Sequence, residues 1–275
     1  MRTILSLLQH TAALLGLDQK RCVACFTPYS PITDSSFADL YNMQHSTVPA
    51  THGHWNTPPQ LCPDCLKELP PRTKGYCPVC GKLYATESGT PARCSRCLVS
   101  PPPWTRMTFF GAYKGLLREL LLQHKFHSRL DTGITLARLL ASTYQPAETP
   151  PAAVIPLPLH TARLKARGHN QTLLPAILLA QKMDIPLLPK ALRRIRATIP
   201  QASLTKQERQ TNLQHAFSAN LPKTLRGTHL LLVDDIATTC MTLEYAATAL
   251  LAGGAGSIEV AVIARTPEPS DTTSP

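Results

Sequence analysis

Aromatic residues are scarce. Phenylalanine, tryptophan and tyrosine make up 5% of the 275 residues, while the hydrophobic fraction is 43%. An interior built mainly from aliphatics suits a soluble α/β protein, and so few rings tell against a dedicated single-strand stacking platform. Long apolar runs are missing too: none reaches the ~18–20 residues that a membrane span requires. Acids are outnumbered, 17 Asp and Glu against 28 Lys and Arg, for a net charge of +11. The excess is local. Between His160 and Gln210 ten Lys and Arg stand against only Asp184 and Glu208, a balance of +8. Such a block favours phosphate-rich partners, either nucleic acid or a phosphorylated small molecule. A solvated basic surface without a specific ligand fits the charge count equally well.

The opening MRTILSLLQHTAALLGLDQKRC places Arg2 before an apolar run, as a signal peptide does. Gln9 and His10 interrupt that run, and no small-x-small cleavage site follows. Ile4, Leu5, Leu8, Leu14 and Leu15 fit one face of an amphipathic helix instead. The expectation is an uncleaved cytoplasmic chain.

Cysteine is not scarce. Eight of nine fall into four C-x-x-C spacings: Cys22/Cys25, Cys62/Cys65, Cys77/Cys80 and Cys94/Cys97. Each such turn aims two thiolates at one tetrahedral metal, so four turns supply two all-thiolate zinc sites. A disulfide framework needs an oxidising compartment, which the opening segment does not indicate. A redox dithiol usually stands alone at a helix start. Sequential pairing, 22/25 with 62/65 and 77/80 with 94/97, encloses 36 and 13 residues respectively. The longer loop leaves a swapped arrangement open, and it holds His45, His52 and His54, each able to replace a thiolate. With four cysteines per site no position is left for water, so the expected role is structural.

Residues 1–100 therefore read as an N-terminal helix and a double zinc ribbon, and Pro101–Trp104 as a stiff linker. From there to residue 265 strands and helices alternate. Strands are expected at 106–114, 152–158, 185–189, 228–235 and 257–265. Helices are expected at 115–126, 130–144, 169–183 (with a kink at Pro175), 204–214 and 241–254. Alternation of this kind implies a doubly wound parallel sheet. The remainder, 266–275, reads as a disordered tail.

Ligands of such sheets bind beyond the carboxyl ends of the strands. One of those ends reads LLLVDDIATTCMT, residues 230–242. Asp234 and Asp235 close the strand, and small hydroxyl residues lead into the next helix. Free amides at a helix N-terminus suit a phosphate, and Thr238, Thr239 and Thr242 add hydroxyl donors. Two carboxylates repel a phosphate but accept hydrogen bonds from the vicinal hydroxyls of a ribose. The loop thus describes a sugar phosphate. An Asp-Asp pair beside an N-capping Thr, with no ligand, is the plainer alternative.

LLLVDDIATTCMT resembles the binding loop of type I phosphoribosyltransferases, hydrophobics followed by Asp-Asp and Thr-Thr-Gly-x-Thr. IPLPLHTARLKARGHNQ and RRIRATIPQASLTKQERQTNLQHAF further resemble the ComF family, phosphoribosyltransferase-like proteins of DNA uptake in competent bacteria, as do the four C-x-x-C turns. The resemblance runs from Cys22 to Arg265. It implies a type I phosphoribosyltransferase-like sheet that binds phosphoribosyl pyrophosphate with Mg²⁺ and carries two structural zinc ions. It also implies single-stranded DNA and other competence proteins as partners. By position, Asp234 and Asp235 would hold the ribose, while Ala237, Thr238, Thr239, Cys240, Met241 and Thr242 would form the 5′-phosphate loop. Arg163, Lys165 and Arg167 would face the pyrophosphate, with Arg193, Arg194 and Arg196 as a hood.

Two positions depart from the pattern. His169 replaces a Phe, which retains ring volume for packing. Cys240 replaces a Gly. If the backbone there takes φ > 0, a cysteine costs on the order of 1 kcal/mol and its side chain can crowd the anion. If φ is negative, the thiol points away. Three functions follow: phosphoribosyl transfer to an unidentified acceptor, a non-catalytic phosphoribosyl or nucleotide sensor, and a zinc-ribbon adaptor for single-stranded DNA.

Overall fold

The computed structural model describes residues 19–30, 59–127, 129–196 and 216–267. The expected N-terminal helix, the loop with His45, His52 and His54, the helix at 204–214 and nearly all of the tail lie outside these residues. No described helix is long and apolar enough to cross a membrane.

Two short strands, β1 (Lys20–Arg21) and β2 (Pro28–Tyr29), pair antiparallel around the first C-x-x-C turn. The second and fourth turns each open a short helix, α1 (Pro63–Lys67) and α2 (Ser95–Val99). The main sheet follows. Its strands are β3 (Met107–Ala112), β4 (Val154–Pro156), β7 (His229–Ala237) and β8 (Ser257–Arg265), in the order β3-β8-β7-β4 and all parallel. A separate antiparallel pair joins β5 (Leu192–Arg194) to β6 (Phe217–Ala219). The expected strand at 185–189 is reduced to a single bridge, Val154 to Leu187, because Pro186 and Pro189 remove ladder donors.

Alternate side chains of the central strands enter two cores. Leu231, Val233, Ala261 and Ile263 meet α3 (Gly115–His127), α4 (Leu130–Thr143) and α6 (Leu173–Met183) on one face. Leu230, Leu232, Val260 and Val262 meet α7 (Met241–Ala252) and β5–β6 on the other. Burial on both faces explains why β7 and β8 read as unbroken apolar runs. The stretch at 169–183 splits differently from expectation. Helix α6 starts only at Leu173, and a second helix, α5 (Thr161–Arg167), precedes it and ends on Gly168 at φ 76°. Pro175 sits in the first turn of α6, where no intrahelical donor is lost, so no kink is required.

The cysteine-rich segment packs onto both cores. Cys22, Cys62 and Cys65 join the core of α3 and α4. Trp104, read from sequence as part of a spacer, is buried and its indole donates to the Val79 carbonyl at 2.6 Å. A large ring with one polar atom found both a core and an acceptor, so this segment is docked.

A buried cation closes α4. Lys182, 2% exposed, donates to the carbonyls of Ala141 and Tyr144 at 2.7 Å each, near the C-terminus of that helix. Burial pushes its ammonium down to about 8 from an ordinary 10.5. Between those values the unfolded chain binds more protons than the folded one, so this group's contribution to stability rises with pH. Chemical denaturation of wild type and Lys182→Met at pH 8 and pH 10 should show the wild type gaining relative to the variant as pH increases; parallel curves would exclude this assignment.

Candidate phosphoribosyl site and paired cysteine clusters

Strand β7 ends at a cleft of ≈ 260 Å³. Its wall carries Asp234 and Asp235 from β7, Thr238 and Thr242 from the turn into α7, Arg163 and Arg167 from α5, and Arg194 from β5. Spacing explains the selection. Arg163 and Arg167 are four residues apart and share one face of α5, whereas Lys165 lies on the opposite, exposed side. Of the three hood arginines, Arg194 reaches the cleft and stacks over the Phe217 ring at 5.5 Å. Arg193 and Arg196 are exposed and do not line it.

The carboxylates help to shape their own loop. Asp234 Oδ1 accepts from the Asp235 amide at 2.8 Å, and Asp235 Oδ1 from the Ile236 amide at 2.7 Å. Burial, then the adjacent Asp235 charge, raises Asp234 well above the usual carboxylate range, and Lys125 opposes the rise. Burial followed by the charge of Arg163 pushes Arg194 down to about 10, with Asp234 opposing. Burial and Arg167 lower Arg163 likewise. Like charges therefore crowd within the cleft, Asp235 against Asp234 and the guanidiniums of Arg163, Arg167 and Arg194 against one another. A ligand bearing hydroxyl donors at one end and phosphate oxygens at the other relieves both.

Cys240 is the left-handed residue before α7, at φ 64° and ψ −3°. The position keeps the backbone that a glycine would adopt, and the negative-φ alternative does not occur. The thiol is directed into the core. The side chain is 5% exposed, belongs to the α7 core, and brings its Sγ within 3.9 Å of the Cys80 carbonyl. Met241, Thr242 and Leu243 follow as the first turn, whose amides have no intrahelical acceptor. Thr239 is exposed, Ala237 is fully buried in the core, and neither lines the cleft.

Several wall residues went unread in the sequence: Tyr113, Lys125, Gln171 and Thr172. Gln171 is 2% exposed; its Oε1 accepts from Arg167 and its Nε2 has no partner among the described residues. Thr172 and Asn170 both donate to the Leu157 carbonyl, at 2.9 and 3.0 Å, and so fix the turn after β4. The H-N-Q order held that signal, but only the fold discloses that Asn supports the loop while Gln faces the cleft. His169 packs its ring 5.0 Å from His124, in keeping with the packing role expected of it.

Sequential pairing of the cysteines is what the structure adopts. The sulfurs of Cys22, Cys25, Cys62 and Cys65 lie within 4.8 Å of one another, as do those of Cys77, Cys80, Cys94 and Cys97. Four thiolates at Zn–S distances of ~2.3 Å in a tetrahedron stand about 3.8 Å apart. The Cys25–Cys62 and Cys80–Cys94 sulfurs are 3.7 and 3.6 Å apart, so both clusters fit a tetrahedral thiophilic ion.

Sequence comparison agrees with this architecture. Residues 173–272 match the phosphoribosyl transferase domain model. The chain is 36% identical over 225 residues to the DNA utilization protein YhgH of Shigella flexneri, covering 80% of this chain and 94% of that protein. It is 33% identical over 214 residues to competence protein F of Haemophilus influenzae, covering 74% and 90%. Against competence protein ComFC of Bacillus subtilis the figures are 27% over 206 residues, 71% and 79%. With two four-cysteine clusters docked on a phosphoribosyl transferase-type parallel sheet, and with relatives similar over nearly their full length, the chain belongs to the ComF family of competence and DNA utilization proteins.

Proposed function

We propose that this protein binds phosphoribosyl pyrophosphate, or a closely related sugar phosphate, in the cleft at the end of β7. The observation that carries this reading is that Asp234 and Asp235 line one cavity together with Arg163, Arg167 and Arg194, and with Thr238 and Thr242 at the start of α7. The carboxylates accept the ribose 2′- and 3′-hydroxyls, the α7 amides with Thr238 and Thr242 hold the 5′-phosphate, and the three arginines hold the pyrophosphate. Magnesium bound with this ligand supplies further positive charge to the pyrophosphate oxygens. Arg193 and Arg196, the other two arginines of the expected hood, are exposed beside Arg194. The zinc ions belong to the two cysteine clusters and serve folding. Their loss is expected to unfold the cysteine-rich segment.

The relatives' names support a place in handling DNA, and the basic surface supports single-stranded DNA from uptake as the polyanion. Transfer of phosphoribose to an acceptor and binding without turnover share this site. Release of pyrophosphate when candidate acceptors are added separates them.

Calorimetry on metal-replete protein should detect phosphoribosyl pyrophosphate with Mg²⁺, and replacing both Asp234 and Asp235 by Ala should weaken it at least ~10-fold, as expected for loss of charge-assisted hydrogen bonds. An unchanged affinity would refute the ribose assignment. Because Asp234 is raised by burial and by Asp235, affinity should increase as pH rises and its carboxylate form is populated. Titrations at pH 6 and pH 8 measure that trend, and a falling trend would exclude Asp234 as the acceptor. Since the Cys240 thiol faces away from the cleft, Cys240→Gly should leave the affinity within about threefold of wild type, an interval of ~0.6 kcal/mol. Tighter binding beyond that range would mean that the side chain does crowd the anion.

A further inference from the structure

The C-x-x-C turn of Cys77–Cys80 is fastened to the core domain by each of three consecutive carbonyls. Pro78 O accepts from the Met107 amide at 2.9 Å, and Val79 O from the Trp104 indole at 2.6 Å. Cys80 O accepts from Arg265 Nε at 3.2 Å and is the group that the Cys240 thiol approaches. Gly81, at φ 69°, permits this contact. A Cβ there would lie 2.8 Å from Met107 Sδ and 3.3 Å from Arg265 Cδ.

Arg265 is the last residue of β8 and is 2% exposed. While Nε holds Cys80 O, Nη1 donates to the carbonyls of Ala237 (3.2 Å), Thr238 and Thr266 (2.9 Å). One planar fork of donors thus spans a cysteine of the second cluster and the turn that carries Thr238 into α7. A second tie runs in parallel, since Arg96 of α2, between Cys94 and Cys97, pairs with Glu244 in the first turn of α7 at 2.5 Å.

We propose that Arg265 is a positioning residue of the phosphoribosyl loop, and that it joins this loop and the Cys77/Cys80/Cys94/Cys97 cluster into one coupled unit. Metal in the cluster fixes the Cys80 carbonyl, the carbonyl fixes the guanidinium, and the guanidinium fixes Ala237 and Thr238. Coupling of binding free energies is reciprocal, so a phosphate ester on the loop must in turn steady the cluster. The Cys22/Cys25/Cys62/Cys65 cluster packs in the core of the opposite sheet face and shares none of these bonds. It is the internal control. The ligand half of this coupling rests on the phosphoribosyl reading of the cleft; the metal half does not.

Amide hydrogen exchange on the full, zinc-loaded chain tests both halves, with 236–243 reporting the loop, 78–82 reporting the cluster and 229–234 reporting the core. Without any ligand, Cys97→Ser should speed exchange at 236–243 at least fivefold while leaving 229–234 unchanged, and Cys65→Ser in the other cluster should not. Equal effects of the two variants on 236–243 would overturn the proposal even if phosphoribosyl pyrophosphate never binds. With phosphoribosyl pyrophosphate and Mg²⁺, wild type should slow at both 236–243 and 78–82. In Arg265→Met the slowing at 78–82 should fall by at least half while that at 236–243 persists, the remainder being carried by Arg96 and Glu244, and Arg265→Lys should recover part of it. Slowing of the loop alone in wild type would overturn the coupling. Should Arg265→Met fail to fold, the ligand-free comparison of the two cysteine variants decides the coupling of cluster and loop, and repeating it in Arg96→Ala decides Arg265's part: loss of the Cys97→Ser effect there would overturn the role of Arg265.

Discussion

Everything functional in this molecule depends on the parallel ladder between β7 and β8. Eight register pairs, from His229 with Ser257 to Ala237 with Arg265, fix where each strand stops. The stop of β7 places Asp234 and Asp235 at the rim of the sheet and turns the next residues into α7. The stop of β8 places Arg265 beneath that turn. Neither element is stable alone, because both strands are buried on both faces and draw their stability from helices on each side. A ligand site that must hold its donors to within tenths of an ångström needs such a support, since amides in a loop without a buried ladder behind it would lose their geometry to fluctuation.

The cleft holds charges of both signs, and this combination is what gives it chemical meaning. Burial alone would favour neutral side chains, yet one small cavity is lined by two adjacent carboxylates and by Lys125, Arg163, Arg167 and Arg194. Arginine cannot shed its charge at physiological pH, so those three stay positive whether or not a ligand is present. Asp234 can take up a proton, and burial and the Asp235 charge favour that neutral form. The proposed ligand matches this lining, because its phosphates are anionic and its ribose hydroxyls are donors. Aliphatic ligands satisfy neither set of groups, and a simple phosphate satisfies one.

Much of this was legible in the sequence because local chemistry dictated it. The unbroken apolar runs of β7 and β8, the acid pair, the hydroxyl residues and the four C-x-x-C turns each carry their own physical signature. The sulfur geometry of both clusters follows from the C-x-x-C spacing and fits the tetrahedron a thiophilic ion prefers. What was not legible depended on side-chain direction. Arg163 and Lys165 look equivalent in the sequence until α5 turns one toward the cleft and the other toward solvent. Arg193 and Arg194 differ for the same reason, with β5 alternating them across its two faces. Trp104 read as part of a spacer because a proline run gives no hint that an indole beside it will find the Val79 carbonyl. Gln171 and Lys125 come from helices and turns far apart in the chain, so only the tertiary fold unites them.

The substitution of Cys240 for glycine is best understood as a relocation of constraint. A non-glycine residue at φ 64° carries strain of on the order of 1 kcal/mol. Burial of a small apolar thiol against α7 returns stabilisation of similar size. Glycine would give the turn its freedom but nothing beneath it. With cysteine, the same backbone is kept and its side chain is wedged against the Cys80 carbonyl, a group already held by Arg265. The loop's conformation is then determined from below, by the second cysteine cluster and the end of β8, rather than by the intrinsic preference of one residue. A chain that anchors its turn in this way can dispense with glycine there without giving up the amides that face the cleft.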